Sequence, residues 1–243
     1  MNVLIIGFGT AGRYYLKILK SFKQIKKIFI VDDLKLPKSK KYIQIQFNSK
    51  ELKKNSIKYA IISTPSGSHY DYALKLVNNS INTLIEKPFV LNLYEAKNLI
   101  KKSKSKKIKC WVVFQNRYNL AIRKLVQVVN KKILGKIFLI DCSLIWKRDK
   151  KYYSSPWRGK YRSDGGVLSN QAIHLLDAVI YVFGKVKKFS SILSYNKKKL
   201  EAEDLALLNL VHDNNTLTSF KATTRADSNY RSAMDVIGEK GRV

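Results

Sequence analysis

Three short stretches of this chain carry residue types at spacings that chemistry can use. The first is Gly7-Phe8-Gly9-Thr10-Ala11-Gly12, with Asp32 standing 20 residues beyond Gly12. In such a GxGxxG turn the first glycine permits the tight bend and the second lets a pyrophosphate approach the backbone. The third allows close packing of helix on strand. The helix that opens there turns its partial positive charge on the phosphates. A carboxylate at Asp32 suits the adenosine ribose hydroxyls and repels a 2′-phosphate, which favours NAD over NADP; Lys35 nearby counters part of that repulsion. The second stretch is Leu84-Ile85-Glu86-Lys87-Pro88-Phe89, in which Lys87 ends an apolar run and Pro88 restricts its freedom. By position alone, a lysine at a strand end is more often solvated surface than a catalyst. The third is DGGVLSNQAIHLLDAV, residues 164–179. If 167–182 is one helix, Asn170, His174 and Asp177 share a face at i, i+4 and i+7. An imidazole there can exchange protons near neutral pH, although a lone helical histidine is more often a structural hydrogen-bonding residue. His69 follows Thr64-Pro65 at another strand end and is expected to line the cofactor cleft, whereas His212 at a hairpin has no evident role.

The elements that must position these residues follow from hydrophobic periodicity. Strands are expected at 2–6, 27–32, 42–47, 58–64, 81–87 and 108–114, with helices up to about residue 21 and at about 67–79 and 92–105. This alternation implies a parallel sheet with right-handed crossovers. Ligands bind outside the carboxyl ends of such strands, the edge that carries Gly7–Gly12, Asp32, Thr64-Pro65 and Lys87. After residue 115 the pattern changes. A helix at about 118–131 and a long strand (KIFLIDCSLIW) precede an irregular stretch, 147–164. The 167–182 helix, stopped by Gly184, and strands at 185–195, 203–212, 216–225 and 231–237 follow. HDNNT (212–216) reads as a hairpin turn. The expected fold class is α/β: a Rossmann domain over residues 1–115, then an α+β domain over 116–243 built on a largely antiparallel open sheet.

The 243 residues are 45% hydrophobic and 26% charged, values of a globular protein, and no apolar run is long enough to span a bilayer. The N-terminus lacks a secretory signal pattern, and two cysteines make neither a CxxC pair nor a disulfide framework, so the cytoplasm is the expected compartment. Lys+Arg 47 against Asp+Glu 17 gives a formal net charge of +30. The excess is 38 Lys against 9 Arg, in short clusters such as 38–41, 101–107 and 197–199 spread along the chain. That spread argues against a nucleic-acid stripe and points to attraction of an anionic substrate.

Taken together, GFGTAG, Thr64-Pro65 with His69, Glu86-Lys87-Pro88, FQNRY (114–118), LGKI (134–137) and Gly165-Gly166 through His174 and Asp177 resemble the glucose–fructose oxidoreductase/inositol dehydrogenase (Gfo/Idh/MocA) family, from Met1 to the last residue. The resemblance implies a nicotinamide-dependent oxidoreductase acting on CH–OH groups, without a metal. It implies that Lys87 binds the oxygen at the carbon exchanging hydride and that His174 donates or accepts the proton. The Lys87–Pro88 bond is then expected to be cis, and the second sheet to serve a homo-oligomer. Cofactor contacts are implied at residues 7–12, Asp32, Thr64, Pro65, His69, Glu86 and Lys87. Substrate contacts are implied at Lys87, Arg117, Tyr118, Asn170 and His174. Apolar flanks and the cationic ring of NAD⁺ should pull the lysine pKa below its usual ~10.4.

Two departures stand out. Asn170 occupies a position where the family pattern has Asp, and an amide cannot ionise. The NQ form, with FQNRY and WRGKYRSDGG (157–166), looks most like the branch acting on UDP-N-acetylglucosamine and its uronate at C3. This implies a nucleotide-linked sugar of surface-polysaccharide synthesis. Arg158, Lys160 and Arg162 can meet a diphosphate, and Trp157 and Tyr161 can stack; a basic mobile loop is the plain alternative. The final DVIGEKGRV resembles a segment after which relatives continue with further strands, so the second sheet is expected to be incomplete. A free polyol such as an inositol, or a non-catalytic NAD-binding sensor, are the alternative functions.

Overall fold

The computed structural model describes residues 1–196 and 200–243, so the lysine run 197–199 lies outside the described residues. Two compact units divide at residues 113 and 114. In the first, β1 (Asn2–Ile6), β2 (Lys27–Val31), β3 (Ile43–Gln44), β4 (Ile57–Ile62), β5 (Asn82–Ile85) and β6 (Cys110–Val112) form one parallel sheet in the order β3-β2-β1-β4-β5-β6. Near-continuous apolar runs such as NVLII are what a strand buried on both faces requires; Leu4, Ile5, Ile6, Ile30 and Ile62 are fully buried. Helix α1 (Thr10–Leu19) covers one face over Ile5, Ile28 and Ile30. The other face buries Leu4, Ile6, Phe29 and Ile62 with Leu76 and Val77 of α3 (His69–Asn78) and Leu99 of α4 (Leu93–Ser105). A short α2 (Ser49–Lys54), capped by Asn48, follows β3. It shortens the expected strand 42–47 to two residues, because Asn48 draws the Glu51 N–H into a helical cap. Strand order reverses between β1 and β4, which makes their carboxyl ends the crevice where such sheets bind ligands.

The second unit opens with a 3₁₀ turn (Gln115–Tyr118) and α5 (Leu120–Asn130). Its sheet contains β7 (Ile137–Ile145), β8 (Val186–Ser194), β9 (Leu205–His212), β10 (Leu217–Thr223), β11 (Arg231–Gly238) and β12 (Gly241–Arg242). Their order is β12-β11-β7-β10-β9-β8. The β7–β10 pair is parallel and the others antiparallel, so the open sheet is mixed. HDNNT makes the expected turn, with the His212 N–H donating to Thr216 O at 2.9 Å. His212 itself is buried between Gly184 O and Thr218 Oγ1, a structural role.

The irregular stretch contains a one-turn α6 (Lys150–Tyr153). The expected single helix 167–182 is two: α7 (Gly166–Asn170) and α8 (Ile173–Phe183). The Val167 carbonyl accepts both the Gln171 and the Ala172 N–H, at 3.1 and 2.8 Å. That winds an extra residue into the turn, so Asn170 on α7 is out of continuous helical register with His174 and Asp177, which keep an i, i+3 spacing on α8. Under these helices lies a core of Ile140, Cys142, Val179, Ala206, Phe220 and Val236. Burial pushes the Cys142 thiol up to about 12, so it packs as a hydrophobe. Phe220 is fully buried at the centre of this core. Phe220→Ala should lower stability by about 3–5 kcal/mol, read as an earlier denaturant midpoint; a loss under about 1 kcal/mol would show that the site collapses around the truncation.

Candidate functional site

In the first unit, the turn after β1 begins with Gly7 donating to Val31 O at 2.9 Å. A Cβ on Gly12 would land against the Gly7 carbonyl oxygen, whereas one on Gly9 would meet nothing within 4 Å. The packed side is therefore glycine by steric need, and the open side is a cradle. Gly9 caps α1 without a side-chain hydrogen bond, and no acid sits in the first turn. The uncapped amides and the helix dipole there fit a phosphate. Asp32, at the end of β2, accepts the Phe8 N–H at 2.6 Å and the Leu34 N–H at 2.9 Å. The Phe8 ring itself is buried against Tyr42, so this residue lines the cradle by backbone only. A cavity bordered by Val31, Asp32, Gln44, Phe47 and Tyr72 opens beside the carboxylate. These features fit an adenine dinucleotide. Ser63, which follows β4, donates to Gly7 O at 2.8 Å and locks the crevice from the other side. The periodicity of β4 gave no sign of that role.

Lys87 sits just past β5, whose end is held by Glu86 N–H to Ile62 O at 2.9 Å. The Lys87–Pro88 bond is cis, as the family resemblance implied. Two side chains hold this turn. Tyr15 of α1 donates to Glu86 Oε1 at 2.5 Å, and Glu86 Oε2 accepts the Lys87 N–H at 3.1 Å. Burial and the neighbouring Glu86 raise the Tyr15 pKa, so it remains a donor. His69 is 1% exposed, with Nδ1 2.8 Å from Pro88 O and Nε2 3.0 Å from Thr64 O. It ties the Thr64-Pro65 turn to the Pro88 turn from behind, which corrects the expectation that it lines the cleft. Burial lowers its pKa; the two carbonyls and Glu86 pull the other way, and Lys87 adds to the fall. Thr64 accepts from Ser68 Oγ at 2.8 Å, and Pro65 is exposed at the sheet edge.

In the second unit, His174 is half-buried on the first turn of α8. Its Nε2 lies 3.5 Å from Gln115 Nε2, and its ring stands edge-on to Phe114, centroids 6.4 Å apart. Asp177 follows His174 by three residues on α8. It grips Arg117 with two hydrogen bonds, 2.8 and 2.5 Å, while the guanidinium stacks on Phe114 and Tyr181. Arg117, expected at the substrate, thus clamps the 115–118 turn to α8 and sets Gln115 beside His174. Tyr118 is 81% exposed. Asn170 ends α7 and donates its amide to the buried carboxylate of Asp164. Glu203 holds the start of α7: the Val167 N–H reaches Glu203 O at 2.8 Å and the Leu168 N–H reaches Oε1 at 3.1 Å. Gly166, at φ +78°, leaves no room there for a Cβ, which would land on that carboxylate. The Arg158 guanidinium lies between the Tyr152 and Trp157 rings, 3.9 and 4.2 Å from their centroids, and bonds the Tyr152 hydroxyl. Tyr161, Lys160 and Arg162 are exposed. Among the described residues no group of His, Cys, Asp and Glu could hold a metal, and no helix is long and apolar enough to cross a membrane.

Comparison with known proteins agrees with this geometry. The family model described as oxidoreductase family, NAD-binding Rossmann fold, matches residues 1–114, and that of the GFO/IDH/MocA C-terminal domain matches residues 122–243. An uncharacterized oxidoreductase of Synechocystis is 24% identical over 99% of this chain and 70% of its own length. The myo-inositol 2-dehydrogenase of Thermotoga maritima is 22% identical over 100% of this chain and 74% of its own. The crystal structure of the WlbA dehydrogenase from Bordetella pertussis, in complex with NADH and UDP-GlcNAcA, has the same fold: TM-score 0.90 and 23% identity, covering 100% of this chain and 72% of that one. With family models spanning both halves, a dinucleotide cradle at the switch point and a cis Lys-Pro turn on the same edge, the chain belongs to the Gfo/Idh/MocA family of NAD(P)-dependent oxidoreductases, its first domain the NAD-binding Rossmann fold.

Proposed function

We propose that this protein moves a hydride between NAD and a carbinol or ketone carbon of a nucleotide-linked N-acetyl sugar, with Lys87 and His174 acting on the reacting oxygen. The observation that carries this reading is the clasp on Lys87: a cis Lys-Pro turn at the carboxyl end of β5, held by Tyr15 through Glu86 and by His69 at Pro88. An ammonium in a turn held this tightly is preorganised to donate to an oxygen on which negative charge develops. Bound nicotinamide supplies the hydride acceptor or donor. His174, with one ring nitrogen near Gln115, takes the alcohol proton in oxidation or returns it in reduction. Asn170 contributes a neutral hydrogen-bonding group on the substrate side. Asp32 favours NAD over NADP.

The nucleotide-linked substrate is supported by the likeness of FQNRY, WRGKYRSDGG and SNQ to the UDP-sugar branch, and by the rings of Trp157 and Tyr161 with Lys160 and Arg162 on one loop. The WlbA structure holds UDP-GlcNAcA on the same fold. Inositol dehydrogenases are also relatives, so the deciding assay compares NADH formation from UDP-N-acetylglucosamine and its uronate with that from inositols. Faster turnover of an inositol would replace the sugar reading; binding of NAD and a UDP-sugar with no hydride exchange would make the protein a sensor. A homo-oligomer belongs to this reading: the outward face of the second sheet, with exposed Leu207 and Leu217 beside the Lys221–Asp141 pair (2.7 Å), is its contact surface. Light scattering should report more than one copy.

Two variants address the lysine. Lys87→Met should keep NADH binding and lose about 10²-fold or more in kcat; unchanged turnover would remove Lys87 from the reaction. Tyr15→Phe leaves the Glu86 carboxylate short of a donor, a loss of about 1.5 kcal/mol, or about tenfold in rate. Its NADH Kd should stay within about twofold, since the substitution leaves the phosphate cradle intact.

A further inference from the structure

The buried His69 ring has a carbonyl oxygen at each nitrogen: Pro88 O lies 2.8 Å from Nδ1 and Thr64 O 3.0 Å from Nε2. A neutral imidazole carries one N–H, so it donates to one of these oxygens and turns a lone pair on the other. Only the doubly protonated ring serves both. Burial, the largest influence on the ring, lowers its pKa and opposes that charge. Glu86 and Lys87, the charged groups that act on it, pull in opposite directions. Above the ordinary histidine range the ring is neutral, and its tautomer decides which of two turns is held.

The two turns differ in what else holds them. Thr64-Pro65 is tied locally: the Ser68 hydroxyl lies 2.8 Å from both Thr64 Oγ1 and Pro65 O, and the Ser68 N–H donates to Pro65 O at 3.0 Å. The Lys87 turn is tied before the lysine side chain, where Glu86 Oε2 accepts the Lys87 N–H at 3.1 Å. Pro88 O lies beyond it, and the imidazole reaches that oxygen from 19 residues away. The contact to Pro88 is also the shorter of the two. We propose that His69 is a positioning residue for Lys87: as the Nδ1–H tautomer it donates to Pro88 O, and with Glu86 it pins the backbone on both sides of the lysine. The part Lys87 plays in hydride exchange rests on the reaction proposed above; the tautomer and the bond to Pro88 do not.

Two amides separate the ring nitrogens. Asparagine branches at the same atom as imidazole, so its NH₂ falls where Nδ1 does, whereas the longer glutamine carries its NH₂ to the place of Nε2. The full chain is compared as wild type, His69→Asn and His69→Gln at about pH 7.5, above the ordinary histidine range. Nitrogen-15 NMR of the three histidines, with His69 identified by through-bond correlation to its own backbone, should show Nδ1 protonated and Nε2 bare. With NAD and UDP-N-acetylglucosaminuronate, His69→Asn should keep kcat within about threefold and His69→Gln should lose about tenfold. NADH Kd should stay within about twofold in both, since the phosphate cradle is untouched. Exchange of the Lys87 N–H should quicken about tenfold in His69→Gln and stay near wild type in His69→Asn. That reading needs no substrate, so a wild type that turns over no sugar removes the reaction reading and leaves the positioning claim to the exchange rates. If neither variant folds, the wild-type ring spectrum still decides the tautomer. A ring protonated at Nε2 or at both nitrogens overturns the proposal, as does a glutamine variant that equals the asparagine variant in kcat and in Lys87 exchange.

Discussion

Gly12 meets the carbonyl of Gly7 with no room for a side chain between them, and the rest of the nucleotide half depends on that approach. Ser63 donates its hydroxyl to the same carbonyl and its N–H to Ile6 O, so β1 and β4 end in register at the point where strand order reverses. The contact sets how closely α1 lies on the sheet. Through α1 it also sets Tyr15, whose hydroxyl reaches the carboxylate preceding Lys87. One backbone contact therefore fixes two features that chemistry treats separately, the phosphate cradle and the lysine turn. A helix displaced by a methyl group would loosen both.

Much of this was legible in the residues because it depends on local rules. Apolar runs such as NVLII and KIFIV can only be doubly buried strands, and GFGTAG between a strand and a helix has one common use. The Lys87 position followed from strand polarity alone. What escaped reading is tertiary. The break between α7 and α8 turns on which N–H the Val167 carbonyl accepts, and an apolar 167–182 pattern is compatible with one helix or two. His69 looked like a cleft residue because it follows a strand end; that it packs inward against two carbonyls is decided by the Pro88 turn, 19 residues away. The Tyr15–Glu86, Arg117–Asp177 and Asp164–Asn170 pairs span separations of 71, 60 and 6 residues. Asp164 and Asn170 were visible in one motif, but only the fold of the 157–164 loop turns them toward each other.

The charge census takes on a different meaning once these partners are known. With 17 acids against 47 bases, any acid could find a lysine, yet the acids that matter locally are committed to directional donors. Asp32 takes two backbone N–H groups, Asp164 takes one and an amide, and Asp177 and Asp204 each take an arginine. The few arginines are likewise placed by geometry: Arg117, Arg148 and Arg158 each lie over two aromatic rings. A planar guanidinium can fix a direction in a way that a lysine ammonium on a flexible stem cannot. Apart from Lys87 in its clasped turn and Lys221 paired with Asp141, the lysines instead supply a diffuse field over the surface.

Those two uses of charge act on different stages of binding an anionic ligand. A distributed field raises the encounter rate and is screened within about 8–10 Å at ordinary ionic strength. The helix N-terminus at Gly9, by contrast, acts at contact distance, where screening is weaker. Salt should therefore slow arrival more than it weakens the seated complex. The composition alone, read as +30, predicts a sticky basic protein. The structure divides that charge into a largely nonspecific lysine surface and a small set of placed groups, the arginines, the acids and the clasped Lys87, and the second set carries the specificity.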